Sequence, residues 1–218
     1  MTSGKSKQEY KDNINQLFET LELDCLKESP GKLYFGDYYI QCLFLSCKKK
    51  NKYLNVNKSV SSFSVLINSE NWIKETSYYI KPYMTGIEDT NGGDYEYDYP
   101  HDYARKIPTK RIVNDGIEGV NFELTVYGPC ENPTITIGKN VHRVNASLAT
   151  GEYMKVNSIV KKVYKVKNNG EHVNLFHLRD REYDVFAKIE PGINETPWDG
   201  TFGFDITIME ERSEPRWS

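Results

Sequence analysis

Thr201-Phe202-Gly203-Phe204-Asp205-Ile206-Thr207-Ile208-Met209 alternates small or polar residues with aromatic and aliphatic ones for its whole length. Successive side chains of a strand point to opposite faces. This run therefore reads as a half-buried strand with Phe202, Phe204, Ile206 and Ile208 facing a core. Upstream, short segments of the same kind recur at 121–127, 134–137, 141–148, 152–156 and 160–166. Turn chemistry separates them: Gly128-Pro129, Gly138-Lys139-Asn140, Asn168-Asn169-Gly170, Pro191-Gly192 and Asp199-Gly200. Strands this short and this evenly spaced, within about a hundred residues, predict a β-sandwich or jelly roll over 116–218. A short helix is expected at 179–188, stopping before Pro191.

The first 83 residues read differently. Tyr10, Ile14, Leu17, Phe18 and Leu21 recur at helical spacing, which predicts a helix over 7–23. Ser6 is placed to cap it, with Glu9 as capping-box partner. Pro30-Gly31 ends the segment. Strands follow at 32–47, 59–67 and 72–80, with Gly36-Asp37 as a tight hairpin turn. Lys48-Lys49-Lys50 reads as a solvated turn between two apolar runs. The expected class is mainly β, with an α+β N-terminal part made of one helix and an antiparallel sheet.

Residues 84–115 have no core-forming pattern. After Asn91-Gly92-Gly93, the run from Asp94 to Tyr103 alternates acids with tyrosines, and the segment reads as an extended linker arm. Its carboxylates lack the turn glycine and loop spacing of a calcium site, so no metal is expected.

Of the chain's 218 residues, 38% are hydrophobic and 27% charged, a foldable composition. The 16 Tyr residues suit half-buried sheets and contact surfaces. A net charge of −3 argues against nucleic-acid binding, which needs a basic face. No apolar run approaches a membrane span. Met1 to Gln8 is polar, so no signal peptide is expected. Cys25, Cys42, Cys47 and Cys130 lack C-x-x-C spacing and read as reduced thiols.

Catalytic patterns are missing as well. His101, His142, His172 and His177 form no H-E-x-x-H pair, and neither a G-x-S-x-G elbow nor a P-loop occurs. Glu210 and Glu211 are strand neighbours on opposite faces and cannot share a substrate. The chain is expected to be no enzyme and to carry no cofactor. The candidate contacts, to carbohydrate or to an interface, are Trp198, Tyr97, Tyr99 and Tyr103. Trp198 stands between Pro197 and a turn and is expected to be partly exposed.

Several stretches, taken in order, resemble a known family. They are the run from Leu124 to Pro133 (LTVYGPCENP), Gly138, Val144-Asn145 and Gly151-Glu152-Tyr153. Phe186 to Asn194 (FAKIEPGIN), Trp198 to Phe202 (WDGTF) and the ending Glu210 to Trp217 follow. Together they are similar to the C-terminal domain of distal tail proteins from phages and prophages of Gram-positive bacteria. The tyrosine–aspartate arm resembles that family's linker. Gly31 to Tyr39 and Trp72-Ile73 resemble the later part of its ring-forming domain. Members usually carry more strand-rich sequence before the helix. Here the chain begins almost at it, which reads as truncation, divergence or completion by a neighbouring subunit.

The resemblance implies a ring-type domain over 1–83, the linker at 84–115 and a galectin-like sandwich over 116–218. It implies a structural tail component, a distal-tail or baseplate-hub adaptor. The partners would be its own copies in a ring, commonly hexameric, the tail-tube protein, a tail-associated hub or lysin, and a receptor-binding protein. Its place would be the virion tail tip, after synthesis in the host cytoplasm. The alternative is a carbohydrate-binding sandwich that recognises cell-wall saccharide.

Overall fold

The structure, a computed structural model, describes residues 2–3, 6–26, 30–52, 58–67, 71–82 and 109–215. The chain divides into two compact units, 1–74 with 211–218 and 75–210.

In the first unit, β1 (Thr2–Ser3) precedes α1 (Lys7–Leu26). The helix starts where expected. The Glu9 N–H donates to Ser6 Oγ at 3.1 Å, and the Tyr10 N–H donates to the Ser6 carbonyl at 3.1 Å. The first bond satisfies one of the amide groups that a helix start leaves without an intrahelical partner, and the second is the first turn's own i→i−4 bond. Tyr10, Ile14, Leu17, Phe18 and Leu21 are half-buried, while Leu23 and Leu26 at the far end are exposed. β2 (Gly31–Phe35) and β3 (Tyr38–Lys52) form the predicted hairpin, with Phe35 opposite Tyr38. Gly36 takes φ +58 in its two-residue loop, a conformation that costs glycine little.

β4 (Lys58–Ile67) pairs with β3 from Cys42↔Ile67 to Lys52↔Ser59, and β1 adds to β4. β5 (Trp72–Ile80) begins with Ile73 opposite Tyr39. The lysine run is not a turn. Lys48 to Lys50 continue β3, where Lys48 pairs with Ser62 and Lys49 with Ser61 of β4.

The second unit is a β-sandwich. One layer runs in the order β5, β16 (Phe204–Arg212), β7 (Asn121–Tyr127), β12 (Tyr153–Asn157), β13 (Lys162–Val166) and β14 (His172–Asn174). From β16 to β14 its strands pair antiparallel. Register aligns the apolar phases: Ile208↔Phe122, Ile206↔Leu124 and Phe204↔Val126, then Val126↔Met154 and Leu124↔Val156. The other layer pairs β6 (Thr109–Asn114) with β15 (Gly192–Pro197) and β9 (Thr134–Ile137) with β10 (Asn140–Arg143). The Gly138 N–H, just after β9, donates to the Glu195 carbonyl of β15 at 2.9 Å. β8 (Cys130–Glu131) pairs with β11 (Ser147–Leu148).

Both layers point their buried phase at one core. Phe122, Val126, Val156, Phe204 and Ile206 from the first layer and Ile112 from the second are wholly shut from solvent. Each such side chain contributes roughly 1.5–3 kcal/mol.

Two details correct the sequence reading. Residues 179–188 contain no helix. The Glu182 N–H donates to Asp180 Oδ1 and the Phe186 N–H to Asp184 Oδ1, so aspartate-centred turns take the backbone groups that a helix would need. The one short 3₁₀ turn, among the described residues, lies earlier at Phe176–Leu178. Of the expected arm, 84–108 lie outside the described residues, while 109–114 form β6. Among the described residues no helix is long and apolar enough to cross a membrane.

Candidate functional site

Buried polar groups in the sandwich are mostly committed to structure. Asn114 Nδ2 donates to the Glu118 and Ile189 carbonyls, both at 2.9 Å, while its Oδ1 accepts the Gly116 N–H at 2.9 Å. Ser158 Oγ accepts the Phe122 N–H at 2.8 Å and donates to Asn121 Oδ1 at 3.2 Å. His142 is 3% exposed, and its Nδ1–H donates to the Val185 carbonyl at 2.9 Å. Its Nε2 has no partner among the described residues, and its ring stands edge-on to Phe122. Burial lowers the His142 pKa, against the opposing pull of the Val185 carbonyl and Asp184.

The other histidines are spread out. His172 stacks on Tyr164 at 5.2 Å, His177 stands edge-on to Phe176, and His101 lies outside the described residues. Glu210 is buried and Glu211 exposed, as their alternation requires. No group of three His, Cys, Asp or Glu side chains among the described residues is arranged to hold a metal ion. Cys42, Cys47 and Cys130 are free thiols. Burial pushes Cys130 up to about 11 and, helped by Asp24, raises Cys42.

Trp198 is not a platform. It is 4% exposed, its Nε1–H donates to the Phe202 carbonyl at 3.1 Å, and its ring packs edge-on to Phe204. The turn that suggested exposure, with Asp199 Oδ1 accepting the Thr201 N–H and hydroxyl, folds the indole inward. Tyr97, Tyr99 and Tyr103 lie outside the described residues.

Two surfaces stand out instead. The first is the sheet of the N-terminal unit. Leu33, Tyr34 and Phe35 of β2, Leu45 of β3, and Leu66 and Ile67 of β4 are all exposed. In that unit only Tyr38, Tyr39 and Ile40 are buried among the described hydrophobic residues. Aromatic pairs, Tyr34–Tyr39 and Phe35–Trp72 among them, hold the hairpin side of this sheet. Lys32 lies 3.9 Å over the Tyr39 ring.

The second surface is the outer phase of the sandwich, opposite to the core phase. Tyr79, Asp205, Tyr127 and Tyr153 come from four neighbouring strands, β5, β16, β7 and β12. Tyr127 Oη–H donates to Asp205 Oδ2 at 2.5 Å, which pushes the phenol pKa up to about 12. Farther along the same face, Lys155 Nζ lies 2.6 Å from Glu123 Oε1, and that pairing raises the lysine pKa. Sequence reasoning missed this set. The alternation read over 201–209 put Asp205 outward, but nothing local brought the four strands side by side.

Neither a protein-family model nor a curated protein matches the sequence. Solved structures share the fold. The SPP1 Dit (gp 19.1) protein, a paradigm of hub adsorption apparatus in Gram-positive infecting phages, aligns with a TM-score of 0.51 at 8% identity, over 97% of this chain and 75% of that one. A chain of the phage P2 baseplate, in its activated conformation with Ca, aligns at 0.52 and 16% identity, over 97% and 77%. The same baseplate with Sr gives the same values.

Proposed function

We propose that the chain is a structural subunit of a phage tail, a distal-tail or baseplate-hub component that works by assembly and makes or breaks no bond. One observation carries this reading beyond the shared fold. The sheet of the N-terminal unit leaves large apolar residues exposed on both faces, Tyr34 and Leu66 on one and Phe35 and Ile67 on the other, and association would bury that area. Copies of the chain cover that surface by closing into a ring through heterologous contacts. The sandwich is complete in itself and is free to face other tail parts. Those parts would be the tail-tube protein, a tail-associated hub or lysin, and a receptor-binding protein, at the tail tip of the virion.

Size-exclusion chromatography with light scattering tests the reading. The full chain is expected to form one defined multi-subunit species at high concentration, and Leu66→Ser with Tyr34→Ser is expected to return it to monomer. A chain that stays monomeric both alone and with tail-tube protein sinks it.

A further inference from the structure

The outer face of the sandwich holds a groove of about 390 Å³, the size of a small-ligand site. Tyr79, Pro82, Tyr127, Pro129 and Phe202 form its walls, and Lys81, Thr201 and Asp205 bring polar groups to it. Tyr79 is 74% exposed, so its ring is open to a ligand. At the base, Gly203 has no side chain. A Cβ there would stand 3.0 Å from Pro82 Cδ and 3.2 Å from the Ile80 carbonyl, against the groove wall.

The Tyr127–Asp205 bond does two things. It fixes the Tyr127 ring, and it uses only one carboxylate oxygen. Oδ1 of Asp205 has no partner among the described residues. Beyond the groove, Tyr153 continues the aromatic surface at 6.4 Å from Tyr127. From β5 through β16 and β7 to β12, this track crosses three strand spacings, about 14 Å.

We infer that this groove binds a pyranose saccharide, with Tyr79 and Tyr127 against its C–H faces and Asp205 accepting its hydroxyls. A sugar ring offers an apolar face and a polar rim together, and the groove offers the complement of both. Amphipathic tyrosine rings suit the face. A carboxylate is among the strongest acceptors for the hydroxyls. Lys81 and the Thr201 hydroxyl add a donor and a further acceptor at the groove. The track beyond Tyr127 extends the site to a short oligosaccharide. A broad protein partner would instead favour a wide apolar face.

The test is titration of the full chain with defined trisaccharides of glucose, galactose, N-acetylglucosamine and N-acetylgalactosamine. Calorimetry gives the affinity, and tyrosine side-chain NMR signals give the location. At least one sugar is expected to bind and to move the signals of Tyr79 and Tyr127. Tyr79→Ala and Asp205→Asn are each expected to weaken binding roughly tenfold. Tyr164→Ala, on the same face but outside the groove, is expected to leave it unchanged. Tyr79 supports no core, so its loss leaves the fold intact.

The inference is overturned if no sugar binds, if both groove variants bind like the parent, or if the groove takes a proline-rich peptide and no sugar. It does not depend on assembly: a monomer that binds sugar upholds it and sinks the tail-ring reading.

Discussion

The two units are built from similar residues and finished to different degrees. The central strands of the sandwich, β7, β12 and β16, alternate, and their apolar phases meet in one core. Phe122 on β7 and Phe204 on β16 have no exposed surface at all. The sheet of the N-terminal unit has equally large side chains, yet Leu66 keeps 52% of its surface in water and Tyr34 keeps 63%. The difference lies in layers. Each sandwich sheet has a second sheet opposite it, whereas α1 buries its apolar stripe only halfway. Apolar area left in water is the main free-energy reserve for association.

Truncating a core residue in each unit measures that difference directly. Phe122→Ala removes a ring packed from all sides and leaves a cavity, so it should cost about 3–5 kcal/mol. Leu66→Ala, measured on dissociated chain, should cost less than about 1 kcal/mol, since half of its surface already meets water. Urea unfolding, followed by the fluorescence of buried Trp198 in a chain with Trp72 and Trp217 replaced by Phe, reads the first, and far-UV circular dichroism reads the second. Equal costs for the two would break the comparison.

Acid should also act on the sandwich first. His142 is buried as the neutral ring, with a folded pKa below its ordinary 6.5. As pH falls through that value the unfolded chain binds a proton that the folded chain refuses. Stability from this group is therefore whole above about pH 6.5 and declines below it, by up to about 1.4 kcal/mol per pH unit, until the lowered folded pKa is reached. Glu152, held down by the Ala149 N–H and Lys165, and Glu171, held down by Lys167 and Asn169, act in the same sense at lower pH. Their stabilisation is present above their ordinary 4.5 and is lost at lower pH. Urea midpoints at pH 7.5 and 5.5 should differ in the parent and converge in His142→Asn. An unchanged difference in the variant would remove His142 as the cause.

Much of the sandwich was legible because alternation and burial agree, as in 121–127 and 134–137. Four of its strands were not, the two-residue β8 among them. β15 turns Asn194 and Thr196 inward, so its buried phase is polar and shows no hydrophobic period. β6 mixes Lys110 and Arg111 with Ile112, and β14 is only three residues long. In place of the helix expected at 179–188, Val185 and Phe186 reach the core from turns. Within the groove, the phase of Asp205 could be read locally. Its meeting with Tyr127 and Tyr79 could not, because it depends on pairing between segments far apart in sequence.

The smallest effect sharpens the comparison from the other side. Where tertiary packing is thin, local terms should weigh more, and the Ser6 cap is such a term. Ser6→Ala removes the acceptor of the Glu9 N–H and should cost about 1 kcal/mol. In a helix packed tightly on both flanks, the surrounding contacts would hold the first turn in place and hide the loss. In α1, whose apolar stripe is only half-buried, the loss should appear as frayed helix in far-UV circular dichroism of the dissociated chain. The Trp198 fluorescence transition of the sandwich should stay where it was. A shift of that transition, with the helix signal intact, would mean that the N-terminal unit is held by its packing as firmly as its neighbour.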